Sequence, residues 1–338
     1  MFDIITIGGA TRDITFLTDK GRVIDTPENL TEQQLLGFEY GAKIRSEKVR
    51  MNFGGGACNS AATFAKMGFR VASYCKIGND DNGKSILANL REKKISTKLI
   101  QTDPNQNSGF SFVIVNNREN DGDRVIFTHK GASDDLEIQK NAIKKTKWIY
   151  LTALAGKWKD NFIKVREVME ENGIKLAWNP GAVQIKAGKK GLIGLIKHTD
   201  ILIVNKDEAI ELVQSDKKNH LDEKNINDAE QLISVLKSWG AAIVVITDGK
   251  NGAYIFDGKN LLKAPASAHK RVDTTGAGDS FGSGLVSGYI LTGDLEQALK
   301  FGVLNSGGVV SQYGAQNGIM TKQEAEKQMN RIEVKRII

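Results

Sequence analysis

The sequence predicts an α/β protein with a mainly parallel central sheet, helices on both faces, and a small β-sheet standing off as a lid. Three observations predict it. Short apolar runs alternate with helical patterns along most of the chain, which is the rhythm of a parallel sheet. DILIVN (200–205) and AIVVITDG (242–249) are apolar throughout rather than alternating, as strands covered on both faces are. Residues 14–52 and 108–130 break the rhythm with β-rich polar sequence, so they are assigned to the lid.

In chain order, DIITIG (3–8) is the first buried strand, and ITFLT and KVRMNF are β-like patches within the lid segment. ASYCKIG (72–78) is another strand, followed by the amphipathic GKSILANLREKK (83–94). SGFSFVIVNNRENDGDRVIFTHK (108–130) has two β-rich runs around a polar, Gly-containing turn, the pattern of a hairpin. WIYLTAL and IKLAWNP are further strands, with helical patterns at DNFIKVREVMEENG, KDEAIELV and DAEQLISVLKSWG. Thr321 and Glu324 have capping-box spacing, so TKQEAEKQMNRI opens a terminal helix. No repeat or linker divides the chain, and residues 1–338 are expected to form one domain with the lid attached.

Bulk properties exclude several classes. No apolar run reaches spanning length, so no membrane partner is expected. The opening MFDIITIGGATRD lacks a basic leader and meets Arg12 and Asp13 early, unlike a signal peptide. Cys58 and Cys75 form no close pair in sequence, which points to a reducing, cytoplasmic setting. The net charge of +7 is scattered over a Lys-rich surface without interleaved aromatics, so nucleic acid is not an expected partner. His129, His198, His220 and His269 are isolated, and no Cys/His cluster suggests zinc.

The chemistry concentrates in DTTGAGDSFGSGLVSGYIL (273–291). Thr275, Gly276, Ala277 and Gly278 form a turn of small residues leading into a helix on which Phe281, Leu285 and Tyr289 recur. Such a turn presents free N–H groups and the positive end of the helix dipole to an anion. Asp279 stands at the start of that helix. Phosphoryl transfer needs donors for developing charge and an acceptor for the proton of the attacking alcohol, and this segment supplies both. A helix cap is the plainer role for Asp279.

DTTGAGDSF resembles the C-terminal motif of the ribokinase-like, or phosphofructokinase-B type, carbohydrate kinases, and matching positions run from Asp13 to Ala315. The resemblance implies a three-layer α/β/α domain with a β lid. Asn52 to Ala62, NFGGGACNSAA, is similar to the family's first motif. There Gly55 and Gly56 let substrate approach the backbone, and Asn59 binds its hydroxyls. Asp13 matches the acid that takes two sugar hydroxyls. Asn205 and Glu208 match a pair that organises Mg²⁺, partly through water, and the phosphates. Thr247, Gly249 and Gly252 match the turn that cradles ATP. Asn305, Gly314 and Ala315 match positions lining the adenine pocket. Asp273 and Thr275 fall where some members bind a monovalent cation such as K⁺.

Gly78 to Ser85 fits the phosphate-loop pattern G-x-x-x-x-G-K-S between a strand and a helix. Asp80 and Asp81 in the loop interior would repel phosphates, and Lys84 is read as incidental.

The expected function is therefore ATP-dependent phosphorylation of a hydroxyl on a small sugar, with Asp279 as general base and an amide anion hole at residues 276–278. A nucleoside kinase of the same family is the alternative, with Phe16, Phe110 or Phe112 as a stacking ring. A non-catalytic sugar-sensing protein is the third reading. A homodimer through the lid is expected from the resemblance.

Overall fold

A computed structural model describes residues 1–26, 34–116, 124–216, 218, 221–222 and 225–338. Parts of both lid segments, residues 27–33 and 117–123, lie outside the described residues, as does His220.

The central sheet runs in the order Val71–Tyr74, Phe2–Ile7, Thr146–Leu151, Lys175–Trp178, Ile201–Asn205, Ile243–Thr247. All neighbours in that run are parallel. Ala253–Phe256, Leu261–Ala264 and Lys335–Arg336 extend the edge in antiparallel fashion. Side chains of each central strand feed two separate cores by turns. Val204, Val244 and Ile246 join one core, while Ile203, Ile243 and Val245 join the other. That division is the three-layer arrangement, with helices over each face. Full burial of each Val or Ile favours the fold by about 2 kcal/mol.

The segments expected to form a lid build a four-stranded sheet in the order Arg124–His129, Gly109–Asn116, Thr11–Thr18, Lys48–Gly54. Its first pair of strands along the chain begins and ends a little outside the expected 14–52, while the second pair falls within the expected 108–130, so Asp13 sits within a lid strand rather than at the end of a central one. Arg22–Asp25 and Gln34–Gly37 pair as a separate ribbon. The chain enters the lid at Gly8 and Gly9 and leaves it at Gly55. A Cβ on Gly55 would fall inside Gly9 and Ala10, and its φ of 87° favours glycine. The two crossings therefore pack backbone to backbone.

Two helices carry the remaining frame of the site. Ala277–Thr292 and Leu295–Val310 pack so closely that a Cβ on Gly288 would sit 2.8 Å from Phe301 Cβ. The second helix is absent from the sequence reading. Its glycines and largely apolar composition blur the helical period that marks the amphipathic helices.

Candidate active site

Gly276 caps the helix Ala277–Thr292 with φ 75°, and a Cβ there would collide with Ala315. The turn thus requires glycine at this position. The expectation of a three-amide hole needs correction at Ala277, whose N–H donates to Thr274 O at 3.2 Å. Gly278 and Asp279 occupy first-turn positions whose N–H groups have no intrahelical acceptor, so they are the free donors. A Cβ on Gly278 would meet nothing within 4 Å, so the face of the turn is open.

The Asp279 carboxylate stands over this turn. Its Oδ2 accepts from Asn59 Nδ2 at 2.9 Å, across from the helix Gly56–Lys66. Burial pushes the Asp279 carboxyl above its ordinary range, the Asn59 amide pulls it back, and the nearby Asp13 charge adds to the rise. Tyr150 lies beneath, its buried hydroxyl without a partner among the described residues, and burial followed by the Asp279 charge drives it upward.

Asp13 faces the same region from the lid. The cross-strand row Asn52, Asp13, Ser111 occupies the inner face of the lid sheet. Thr11 Oγ1 donates to Asp13 Oδ1 at 3.0 Å. Burial raises the Asp13 carboxyl, the Thr11 and Ser111 hydroxyls lower it, and the Asp273 charge raises it further. Asp13 is 7% exposed and Asn59 5% exposed, so both polar groups are enclosed. Gly55 and Gly56 form the entry to the Asn59 helix, and a Cβ on Gly56 would press into the Thr152 side chain.

On the other side of the turn at residues 275–278 lies a cavity of about 240 Å³. Thr247, Gly249 and Gly252 line it from the end of Ile243–Thr247 and the loop that follows, and Ala277, Gly278 and Phe281 from the helix Ala277–Thr292. Ser267, His269 and Arg271 form part of its wall and escaped the sequence reading. His269 is therefore a cavity residue rather than an isolated one. Only its place beside the anion turn in space reveals it.

Asn305, Gly314 and Ala315, expected at an adenine pocket, do not line this cavity. Asn305 is fully buried and structural: its Nδ2 donates to Ser280 O at 2.7 Å, and its Oδ1 accepts from Met320 N at 3.1 Å. Gly314 and Ala315 pack behind the anion turn, Ala315 against Gly276 and Gly314 N donating to Asp273 Oδ2 at 2.8 Å.

Asn205 and Glu208 make a capping box on the helix Lys206–Gln214, with Glu208 Oε2 accepting from Asn205 N at 2.9 Å. Burial raises the Glu208 carboxyl, the Asn205 amide lowers it, and Asp207 and Glu211 raise it. The described residues hold no cluster of three or more His, Cys, Asp or Glu. A Mg²⁺ that keeps waters and takes phosphate oxygens fits one carboxylate such as Glu208. Asp273 accepts from Thr275 N, Thr275 Oγ1 and Gly314 N, and no Lys or Arg pairs with it among the described residues.

The phosphate-loop match is a helix start. Asp80 caps Asp81–Glu92, accepting from Gly83 N, Ser108 N and Ser108 Oγ, while Lys84 pairs with exposed Asp81 at 3.0 Å. The carboxylate fills the loop that a phosphate would need.

Fold and site together define a phosphotransferase, an enzyme of the carbohydrate kinase class. A pattern describing the pfkB family carbohydrate kinase matches residues 24–322, and the chain belongs to that family. It is 26% identical to an uncharacterised sugar kinase of Archaeoglobus fulgidus, covering 75% of this chain and 97% of that one. It is likewise 26% identical to the ribokinase of Bacillus subtilis, over 81% of this chain and 86% of that one. A putative ribokinase II from E. coli, solved with ATP and Mg²⁺, superposes with TM-score 0.78 at 18% identity, covering 98% and 100% of the two chains. That likeness establishes the ribokinase-like fold.

Proposed function

We propose that the enzyme transfers the γ-phosphate of ATP to a hydroxyl of a small sugar, with Asp279 taking the proton. The observation that carries this reading is the seat of Asp279, which stands beside the free amides of a helix N-terminus, between the 240 Å³ cavity and Asp13. ATP occupies that cavity, its phosphates directed at the Gly278 and Asp279 amides. Asp13 and the second N–H of Asn59 hold the sugar, and closure of the lid excludes water. Asp279 accepts the alcohol proton as the alcohol oxygen attacks in line, and the amides stabilise the transferring group. Glu208 would hold Mg²⁺ through water, and that ion would neutralise phosphate charge. Asp273 and the Thr275 segment would hold K⁺, which the buried carboxylate with neutral donors favours.

One observation favours a sugar over a nucleoside. Phe16, Phe110 and Phe112 alternate with the Asp13 row and lie on the opposite face of the lid sheet, packed on one another at 5.4 and 6.1 Å. None of them faces Asp13 as a stacking ring must. A second copy of the chain is proposed to cover that outer face, and the cytoplasm is the proposed setting. An ADP-release screen over sugars and nucleosides with ATP and Mg²⁺ tests the reading. Turnover with a sugar is expected; turnover with nucleosides alone overturns the substrate class, and none with any acceptor overturns the enzyme assignment.

A further inference from the structure

The amide that holds Asp279 is itself held by a chain of side chains ending on a different helix. Gln316 Nε2 donates to Asn59 Oδ1 at 3.1 Å, and Asn89 Nδ2 donates to Gln316 Oε1 at 3.0 Å. Lys93 Nζ donates to Asn89 Oδ1 at 2.7 Å. The two ends fix the direction of everything between them. An ammonium only donates and a carboxylate only accepts. Each intervening amide therefore turns its oxygen toward Lys93 and its nitrogen toward Asp279. Asn59 and Asn89 are buried, so an amide turned over would bring like atoms face to face with no water to rescue them. Gln316 also follows directly on Gly314 and Ala315, which brace Asp273 and Gly276. One short turn thus touches the anion site and the base together.

Resting on the reading of Asp279 as base, we propose that Gln316 and Asn89 are positioning residues for phosphoryl transfer. Their polarised chain holds the Asn59 N–H on Asp279 Oδ2, keeping the carboxylate ionised and its Oδ1 turned to the alcohol. The titratable group that acts on Asp279 is Asp13 from the lid, and Asp279 in turn acts on Tyr150 of the central sheet. Asp273 acts on Asp13, and Glu92 and Lys66 flank Lys93 at the far end.

Gln316→Glu and Gln316→Leu together separate this role from packing. Glutamate keeps the shape but only accepts, so Asn59 must turn its N–H₂ to residue 316 and its oxygen to Asp279. The readout is carboxyl ¹³C titration of the aspartate-labelled protein, with the Asp279 signal identified by its loss in Asp279→Asn. The Asp279 midpoint is expected to rise by about one pH unit in Gln316→Glu, and by less in Gln316→Leu. In ADP release, the acid limb of kcat/KM should move with it and kcat at neutral pH should fall about tenfold, with KM for ATP unchanged. The charge added at residue 316 raises the midpoint by itself, so the neutral Gln316→Leu, which removes the donor without adding charge, must also raise it; a packing role alone leaves the Gln316→Leu midpoint unmoved. An unmoved Asp279 midpoint in a Gln316→Glu protein that melts like the wild type overturns the proposal. Should that variant fail to fold, Asn89→Asp, which removes the donor to Gln316, decides by the same titration. Wild-type turnover in Asp279→Asn would instead remove the base assignment and leave the titration result standing.

Discussion

Asp279 carries opposed demands that one substitution exposes. Its carboxyl is raised by burial and by Asp13, so the folded protein binds that proton more tightly than the unfolded chain does. The stability this gives is present below the ordinary Asp range near 3.8 and is lost as pH rises through the higher folded value. At neutral pH the half-buried charge is therefore a net burden on folding. Asp279→Asn should raise the melting temperature at pH 7 to 8, and the gain should vanish below about pH 4. The same variant should lose turnover on the order of 10³-fold, because the alcohol proton then has no acceptor. Melting scans across pH and ADP release check the two halves. A lower melting temperature at neutral pH would contradict the burial account. Asp279 was legible as a candidate because it opens a helix after a turn of small residues, and Asp13 only through the family resemblance. Gln316 and Asn89 were not. Their partners lie 257 and 227 positions away, and no local pattern announces a contact of that span.

Among the elements, two helix starts look alike in sequence and differ in what their loops enclose. At Asp81–Glu92 the loop closes on the Asp80 carboxylate; at Ala277–Thr292 it leaves amides open. Lys84→Ala should leave kcat unchanged and stability within about 1 kcal/mol, since its ion pair is exposed. Asp80→Ala should cost about 1 kcal/mol or more, because the cap also satisfies Ser108 N, again with little effect on kcat. Gly276→Ala should cost stability through the left-handed backbone and the clash with Ala315. It should also reduce kcat roughly 10²-fold, as displaced amides no longer meet the transferring charge. Denaturant melts beside ADP release measure all three. The parallel strands were readable because burial on both faces leaves an unbroken apolar run. The strands Ala253–Phe256 and Leu261–Ala264 and the helix Leu295–Val310 were not separated, since short turns and glycine-rich apolar sequence carry weak period.

At the scale of the whole molecule, the lid sheet presents two chemically opposite faces. The row Asn52, Asp13, Ser111 turns inward, and the adjacent row Met51, Ile14, Phe112, Phe127 turns outward. In that outer row Met51 is 63% exposed and Phe127 59% exposed, with Val49 close by at 48%. A continuous apolar row across four strands is more than scattered surface hydrophobics explain. A twisted sheet facing its own copy about a two-fold axis would cover it, since such an interface is self-complementary. Met51→Lys combined with Phe127→Lys should therefore convert a sedimenting dimer to a monomer, because two charges per chain would face each other across a desolvated surface. The inward row is untouched by these changes, so each site keeps Asp13 and Asp279 in place. Any loss should then appear as weaker sugar binding from a loosened lid, with KM for the sugar rising more than kcat falls. Wild-type protein that sediments as a monomer at micromolar concentration would remove the second copy from this face. The apolar row would then be left as the outer surface of a lid that works alone.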